Sequence, residues 1–269
     1  MTTEKDLIAN SWQELTELLF HDTWLESRQR FLSPFSYRGI RNKDFNLKTS
    51  YNRIGTTHGD NELHILRNFK KYAYPYAKGF VNDWEWLSLA QHHGVATRLL
   101  DWTFSPFIAV HFAIDTEFDM DKDAAIWCVN RAESKKFLPA QLQNYLADEK
   151  GPLVFTCDQL YTQIKNLPEL DHIDAEEFII FLEPPVLDER ISNQYAHFSM
   201  LNRQDEYQDS WIIQHPQLYF RIIIPAALKW EIRDRLDQSN INERILFPGL
   251  SGLSKWLNRH YTPRPKFLK

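Results

Sequence analysis

The chain has 269 residues, of which 43% are apolar and 14% aromatic, and its formal net charge is −5. This composition is typical of a globular protein with a full core and excludes an intrinsically disordered chain. The acidic balance argues against a non-specific nucleic-acid coat, which needs a basic face, but it leaves room for a local basic site.

The first residues, Met-Thr-Thr-Glu-Lys-Asp, do not place an apolar stretch after a cationic one, so no signal peptide is expected. No apolar run approaches the roughly 20 residues that span a bilayer. Cys128 and Cys157 form no Cys-x-x-Cys motif, and we expect reduced core thiols. The sequence therefore predicts a soluble cytoplasmic protein without a membrane partner.

Hydrophobic spacing and turn residues predict the elements in chain order. The opening helix is marked by Ile8, Trp12, Leu15 and Leu19, with Ser11 and Glu14 as a capping box. A strand at Phe35–Ile40 and a polar loop at Arg41–Gly59 follow. Two helices come next, one marked by Leu63, Leu66, Phe69 and Ala73, the other by Trp84, Leu87 and Ala90, with Asn82 or Asp83 as cap and Gly94 as its end.

The second half continues with a short strand at Arg98–Trp102 and a helix that begins at Ser105-Pro106. A buried strand at Ala124–Val129 precedes helices and loops over 131–175. Strands at Phe178–Leu182 and Leu218–Ile224 and helices at Ala226–Asp237 and Ser251–Arg259 complete the prediction.

Strands and helices do not alternate regularly, which favours an α+β fold over a doubly wound sheet. We predict one domain with a mixed or antiparallel central sheet and flanking helices. The predicted organisation is a helical segment at 1–30, a main domain at 31–260 and a tail at 261–269. No repeat or Gly/Ser linker divides the chain.

Three segments are rich in polar groups that a core does not need. In Tyr37-Arg38-Gly39, a strand arginine beside a glycine suits a phosphate or carboxylate, although such an arginine is more often a surface ion pair. In Glu189–Phe198, Arg190 and Gln194 are four apart and share a face if the segment is helical.

The densest segment is Gln91-His-His-Gly-Val-Ala-Thr-Arg-Leu-Leu-Asp-Trp-Thr103. Adjacent histidines diverge by about 100° on a helix, so a zinc site at His92 and His93 is rejected. A purely structural interpretation has the histidines capping the helix end and Arg98 pairing with Asp101. Burying so many polar groups is costly, however, and favours a functional site.

The Tyr-Arg-Gly at 37–39 and the stretch Gln91–Pro106 resemble the FRG domain, which is named for a Phe-Arg-Gly signature. Tyr37 replaces the first aromatic residue. The resemblance extends to the helix with Ala109, Phe112 and Ala113, to the strand at 124–129, and to Arg190, Gln194, Phe198 and Leu246–Leu253. The predicted main domain is therefore an FRG domain.

The pattern is also similar to mono-ADP-ribosyltransferases, which implies an ADP-ribosyltransferase-like fold with NAD as cofactor and no metal. The implied catalytic residues are Arg38, Thr103 and Gln194. Residues implied to bind substrate or cofactor are Tyr37, Gly39, Gln91, His92, His93, Arg98, Asp101, Trp102 and Arg190. Gln194 stands where such enzymes have an acid, so Glu189 or Glu183 is an alternative. Trp102 or Tyr37 would stack on the leaving ring, and Ser105 is assigned to a helix cap.

Two other activities stay open. The same groups suit a binding module for a nucleotide, a phosphorylated metabolite or single-stranded RNA. A hydrolase with His92 or His93 as base, oriented by Asp101, ranks last because no nucleophile lies in an activating motif. The expected partners are a nucleotide ligand and a macromolecular target. The resemblance suggests a bacterial toxin or phage-defence component, with an antitoxin or defence partner.

Overall fold

The computed structural model describes residues 5–55, 61–77, 79–114, 119–148, 153–203 and 207–263. The first four residues of the segment predicted at 1–30, the end of the loop predicted at 41–59, and residues 264–269 of the predicted tail lie outside these ranges. Among the described residues, no helix combines the length and apolar character needed to cross a membrane.

Ten strands are assigned in the described residues: β1 Asp6–Ile8, β2 Trp24–Leu25, β3 Arg30–Phe31, β4 Phe35–Ile40, β5 Leu100–Thr103, β6 Ala124–Asn130, β7 Phe155–Thr156, β8 Ile179–Glu183, β9 Ala196–Leu201 and β10 Tyr219–Ile224. Eight of them form one sheet in the order β1-β10-β6-β4-β5-β9-β8-β7, and β2 pairs with β3. The two outer pairs, β1 with β10 and β7 with β8, are parallel, and the inner pairs are antiparallel.

Helices connect and cover these strands. The α-helices are α1 Trp12–Leu19, α2 Ser50–Arg53, α3 Asn61–Ala73, α4 Asp83–His92, α5 Pro106–Ile114, α6 Arg131–Ser134, α7 Ala140–Asp148, α8 Cys157–Gln163, α9 Leu167–His172, α10 Glu189–Asn193, α11 Gln208–Gln214, α12 Lys229–Gln238, α13 Glu243–Leu246 and α14 Leu250–Tyr261. Short 3-10 turns lie at Glu26–Arg28, Lys135–Phe137, Pro216–Leu218 and Ala226–Leu228. The predicted α+β class with a mixed central sheet is confirmed.

The sheet is packed on both faces. On one face, α1, α5 and α12 cover β4, β6 and β10, while α3, α4, α7, α8 and α9 cover β8 and β9. On the opposite face, residues of β4, β5, β6, β8, β9 and β10 pack with α11. Because side chains alternate along a strand, β4 sends Tyr37 to the first face and Ile40 to the second.

Several predicted boundaries need correction. Ile8 belongs to strand β1, which joins the main sheet, and helix α1 begins only at Trp12. Ser11 caps α1 by accepting from the N–H of Glu14, whose carboxylate accepts from Asn10. The segment 189–198, which was considered as a helix, divides into α10 and the start of the buried strand β9.

Helices α12, α13 and α14 are joined by a partly buried ion cluster. Arg259 donates to both oxygens of Glu243 and of Asp237, with all four nitrogen–oxygen distances at 2.6 Å. Burial alone would raise the pKa of Glu243, but the hydrogen bonds from Arg259 lower it to about 2. The deprotonated carboxylate is therefore the form that stabilises this end of the molecule.

The cluster predicts acid sensitivity. Since the folded pKa of Glu243 lies below its usual 4.5, its contribution is complete above pH 4.5 and is lost as the pH falls toward about 2. The contribution is on the order of 3 kcal/mol. Urea unfolding of the wild type and of Glu243→Gln between pH 6 and 2.5 tests this. A wild type that loses no more stability than the variant would contradict it.

Candidate functional site

A cleft of about 690 Å³ opens where β4 and β5 separate. The antiparallel register would allow four residues of each strand to face one another, but only Tyr37 and Thr103 form a registered pair. Beyond that pair, the Arg38 guanidinium donates to the main-chain carbonyl of Asp101 across the gap. An arginine side chain therefore takes the place of continued strand pairing.

Cationic side chains dominate the cleft. Its charged lining residues are the cations Arg38, Arg41, Lys48, Arg53 and Arg190 and the carboxylates of Asp44 and Asp101. Five cations against two carboxylates leave an excess of three positive charges, in a chain whose formal net charge is −5. Such a concentration attracts an anionic ligand.

Arg38 lies at the centre of this charge. Its side chain is 19% exposed, and its Nη1 is 4.0 Å from the Asp101 carboxylate. Burial lowers the pKa of Arg38, Asp101 opposes that shift, and Arg53 adds to it. Its Nε is buried and has no hydrogen-bond partner within the described part of the chain. One donor of the guanidinium is therefore not used by the described residues.

The other cations are held at the rim. Arg41 pairs with Asp119 at 2.6 Å, and Arg53 donates to the Lys48 carbonyl. The Arg190 guanidinium lies 5.3 Å from the centroid of the Phe247 ring. These contacts orient the side chains without neutralising all of them, so the rim keeps its positive character.

Two of the predicted catalytic groups form the wall of the cleft. Thr103 is buried, donates its hydroxyl to the Gln194 carbonyl at 2.7 Å, and accepts from the N–H of Ser105. Gln194 ends α10 and donates its amide to the Leu246 carbonyl at 2.8 Å. The structure therefore brings Arg38, Thr103 and Gln194 to one cleft, with the last two side chains engaged in internal hydrogen bonds.

The predicted stacking rings face the core. Tyr37 is 1% exposed and its hydroxyl contacts Ser33 at 2.6 Å, while Trp102 is 3% exposed and donates to Ser199. Neither ring is free to stack on a ligand, which corrects that part of the prediction. Instead, the aromatic side chains on the cleft are Phe45, which is exposed, and Phe112, which is half-buried.

Gly39 serves the fold. A Cβ atom there would lie 1.8 Å from the carbonyl oxygen of Ala109 and 2.6 Å from the nitrogen of Ala113. The sequence predicted the close approach of a backbone or a ligand, and the structure shows the backbone of α5. The glycine lets α5 lie directly on β4, next to the cleft.

The predicted pair between Arg98 and Asp101 is wrong. Arg98 is buried and donates from Nε to Glu62 at 2.7 Å and from Nη1 to Asp171 at 2.5 Å, which joins α3 to α9. Its guanidinium is fully engaged away from the cleft lining. Asp101 is exposed and instead accepts from Gln91, 3.1 Å from each carboxylate oxygen.

Neither of the two histidines belongs to the cleft lining. Nε2 of His92 is 2.8 Å from the carboxylate of Asp188, which also caps α10. His93 is exposed and ends α4 before Gly94. Asp188, rather than Asp101, is the partner of His92, so the arrangement proposed for a histidine base is not found. The described residues include no group of three or more His, Cys, Asp or Glu side chains placed to hold a metal.

The sequence prediction missed the basic loop. Arg41, Lys48 and Arg53 fall in the segment interpreted only as polar, and Phe45 lies among them. The available signal was the density of cations directly after the Tyr-Arg-Gly strand. Glu183 and Glu189, the alternative acids, are absent from the described lining.

Residues 33–122 match the profile of the FRG domain family. The chain therefore contains an FRG domain at these residues. The matched FRG domain covers a third of the chain, including β4, the basic loop and Gln91–Pro106, whereas α10 and β9 lie beyond it. No curated protein and no solved structure matches the chain.

Proposed function

We propose that the cleft binds NAD and that the protein transfers ADP-ribose from it to a macromolecular acceptor. The observation that carries the proposal is the concentration of five cationic side chains on one cleft of an acidic chain. Two adjacent phosphates match such a cluster, because guanidinium groups form paired, charge-assisted hydrogen bonds with phosphate oxygens.

The placement of the cations suggests how the ligand lies. Arg38 at the floor binds the diphosphate, with Arg53 and Arg190 at the rim. Phe45 and Phe112 offer apolar contacts to the rings of the dinucleotide. Thr103 and Gln194 act by holding the wall in place, because their own hydrogen bonds join β5, α10 and the segment that carries Leu246.

The proposed reaction breaks the bond between nicotinamide and the ribose carbon. The electron pair of that bond leaves with nicotinamide, and a nucleophile of the acceptor forms the new bond and releases its proton to solvent. Positive charge develops on the ribose in between, and a nearby carboxylate stabilises it. Gln194 carries no charge, whereas Asp44 and Asp101 bring carboxylates to the cleft.

A second candidate function is nucleotide binding without chemistry. It is favoured by the internal hydrogen bonds of Thr103 and Gln194, which use the hydroxyl donor of Thr103 and one of the two amide donors of Gln194. On this alternative, the protein holds NAD, ADP-ribose or a related nucleotide, and the cations supply affinity alone.

One experiment separates the two functions. Thermal unfolding is followed with NAD, ADP-ribose and pyrophosphate, and nicotinamide release is followed by chromatography with a cell lysate as acceptor source. A transferase is stabilised by NAD, releases nicotinamide and labels macromolecules from labelled NAD. A binding module is stabilised without release. If none of the three ligands stabilises the protein, both functions are excluded.

Arg38→Ala is expected to weaken ADP-ribose binding by about 10- to 100-fold, because a charge-assisted pair contributes roughly 1.5–3 kcal/mol. The variant should still fold, since it loses chiefly one hydrogen bond to the Asp101 carbonyl. Titration calorimetry measures the affinity and circular dichroism the fold. Arg235→Ala is the matched control, because Arg235 pairs with Glu231 outside the cleft lining. Equal affinities of the two variants would reject the assignment.

A role as a toxin or phage-defence component is proposed on the family resemblance. Induced expression of the wild type in a bacterium is expected to arrest growth, and Arg38→Ala is expected to relieve the arrest at equal protein levels. If the wild type and the variant arrest growth equally, the toxicity does not depend on the cleft.

A further inference from the structure

We infer that Asp101, oriented by Gln91 and Thr97, recognises the ribose of the nucleotide that occupies the cleft. The inference rests on the proposed nucleotide binding and deepens it, because it assigns the ligand class to ribose-bearing diphosphates. The observation behind it is a carboxylate held in a fixed position among cations. The cations alone would suit a phosphate.

The orientation of Asp101 comes from one amide. Nε2 of Gln91 lies 3.1 Å from both Oδ1 and Oδ2, so it holds the carboxylate plane in place. The Asp101 side chain is nevertheless 59% exposed. Asp101 lines the cleft, so the lone pairs that Gln91 does not use are accessible to solvent or to a ligand there.

The amide is itself held by a buried hydroxyl. Thr97 Oγ1 donates to Oε1 of Gln91 at 2.6 Å, which fixes the amide with its nitrogen toward Asp101. The same hydroxyl accepts from the N–H of Leu99 at 3.2 Å. Ser50 anchors the Thr97 main chain, since its Oγ accepts from the Thr97 N–H at 3.0 Å and donates to the Thr97 carbonyl at 3.2 Å. The relay thus runs from α2 to the cleft.

Neutralising Arg38 does not account for this arrangement. The closest Arg38 nitrogen is 4.0 Å from the Asp101 carboxylate, and the guanidinium donates to the main-chain carbonyl of Asp101 instead. A counter-ion needs no amide and no hydroxyl behind it. The relay keeps the carboxylate in place and leaves it able to accept hydrogen bonds from a ligand.

Sugar hydroxyls are the groups that such a carboxylate suits. A carboxylate accepts from the hydroxyls of a ribose, as acidic residues do in dinucleotide sites, but it repels a phosphate. The cations and Asp101 therefore bind different parts of the ligand. The cations bind the diphosphate, and Asp101 binds an adjoining ribose. Pyrophosphate alone satisfies only the first part.

The test compares two probes, ADP-ribose and pyrophosphate, by titration calorimetry. Asp101→Asn is expected to weaken ADP-ribose by about 10-fold or more, as for a lost hydrogen bond to a charged group, and to leave pyrophosphate equal or tighter. Glu231→Gln is the control, because it removes an exposed carboxylate that pairs with Arg235 outside the cleft lining. It should not selectively weaken ADP-ribose.

The positioning residues give a second readout. Gln91→Leu and Thr97→Val keep the carboxylate, yet they are expected to lower the ratio of ADP-ribose to pyrophosphate affinity, as Asp101→Asn does. Thr97→Ser keeps the hydroxyl and should restore the ratio. A merely structural role would weaken both probes together and would show in the melting temperature.

The outcomes distinguish this inference from the proposed function. If the wild type binds neither probe, nucleotide binding is overturned and the role of Asp101 with it. If both probes bind and Asp101→Asn tightens both, Asp101 is a counter-charge and only the ribose assignment is overturned. If Asp101→Asn weakens ADP-ribose but Gln91→Leu does not, the relay is overturned.

Discussion

Arg98→Ala is expected to lower the free energy of unfolding by roughly 3–5 kcal/mol, since it removes the guanidinium that pairs with a buried carboxylate. Glu62 is 1% exposed and accepts from both the guanidinium and the main-chain N–H of residue 98. Asp171 accepts from the same guanidinium and is partly exposed, so solvent compensates that carboxylate in part. Urea unfolding followed by tryptophan fluorescence measures the loss.

Two controls define the origin of this effect. Lys136→Ala removes an exposed partner of Glu133 and should change stability by less than about 1 kcal/mol. The double variant Arg98→Met/Glu62→Leu should be less destabilised than Arg98→Ala, because no buried charge is left unpaired. Asp101→Ala should have little effect, since that carboxylate is exposed. An Arg98→Ala protein as stable as the wild type would show that the ion pair contributes nothing.

Gly39→Ala is the second change with a large expected effect. The added methyl group would overlap the α5 backbone at Ala109 and Ala113, so either β4 or the helix must move. Backbone displacement of this kind costs about 3 kcal/mol or more. Since β4 also carries Arg38, nucleotide affinity should fall together with the melting temperature.

Gly55→Ala is a suitable comparison. Gly55 has a positive φ of 66°, but apart from its chain neighbours no heavy atom of the described residues lies within 4 Å of a Cβ at that position. The replacement should therefore cost only the local strain of about 1–2 kcal/mol for a left-handed alanine. A loss at Gly39 no greater than the loss at Gly55 would show that α5 can shift away from the strand without consequence.

Local signals predicted many elements well. Helix α4 begins after Asn82, which caps it, and ends at His93 before Gly94, whose φ is 78°. Strand β4 matches its predicted bounds of Phe35–Ile40. In these segments, capping residues and hydrophobic spacing agree with the final packing, so the sequence alone suffices.

Strand β9 was not predicted, and one of its two buried faces is polar. His197 and Ser199 are fully buried, and their partners, Ser36 and Trp102, come from distant parts of the chain. Burying a polar residue in a core costs free energy unless such a hydrogen-bond partner is present. The alternation of polar and apolar residues in β9 therefore does not reveal that its polar face is also buried, because that burial depends on long-range hydrogen bonds.

The candidate site also combines features that the sequence predicts with features that it does not predict. Arg38 and Thr103 follow from the motif, but the position of the basic loop depends on residues almost 200 positions away. Lys229 donates to the Arg41 carbonyl at 2.7 Å, and Arg221 donates to the Lys43 carbonyl at 3.1 Å. Nothing local in the loop specifies these bonds, so its arrangement around the cleft appears only in three dimensions.

The single registered pair between β4 and β5 has a mechanical consequence. This pair divides the sheet into two halves, one formed by β1, β10, β6 and β4 and the other by β5, β9, β8 and β7. The halves meet at Tyr37 and Thr103. Amide protons within each half should exchange slowly with solvent, and those at the contact between β4 and β5 should exchange faster. A ligand that contacts Arg38 in one half and Asp101 in the other links the two halves of the sheet. Its binding should slow amide exchange first at the contact between β4 and β5.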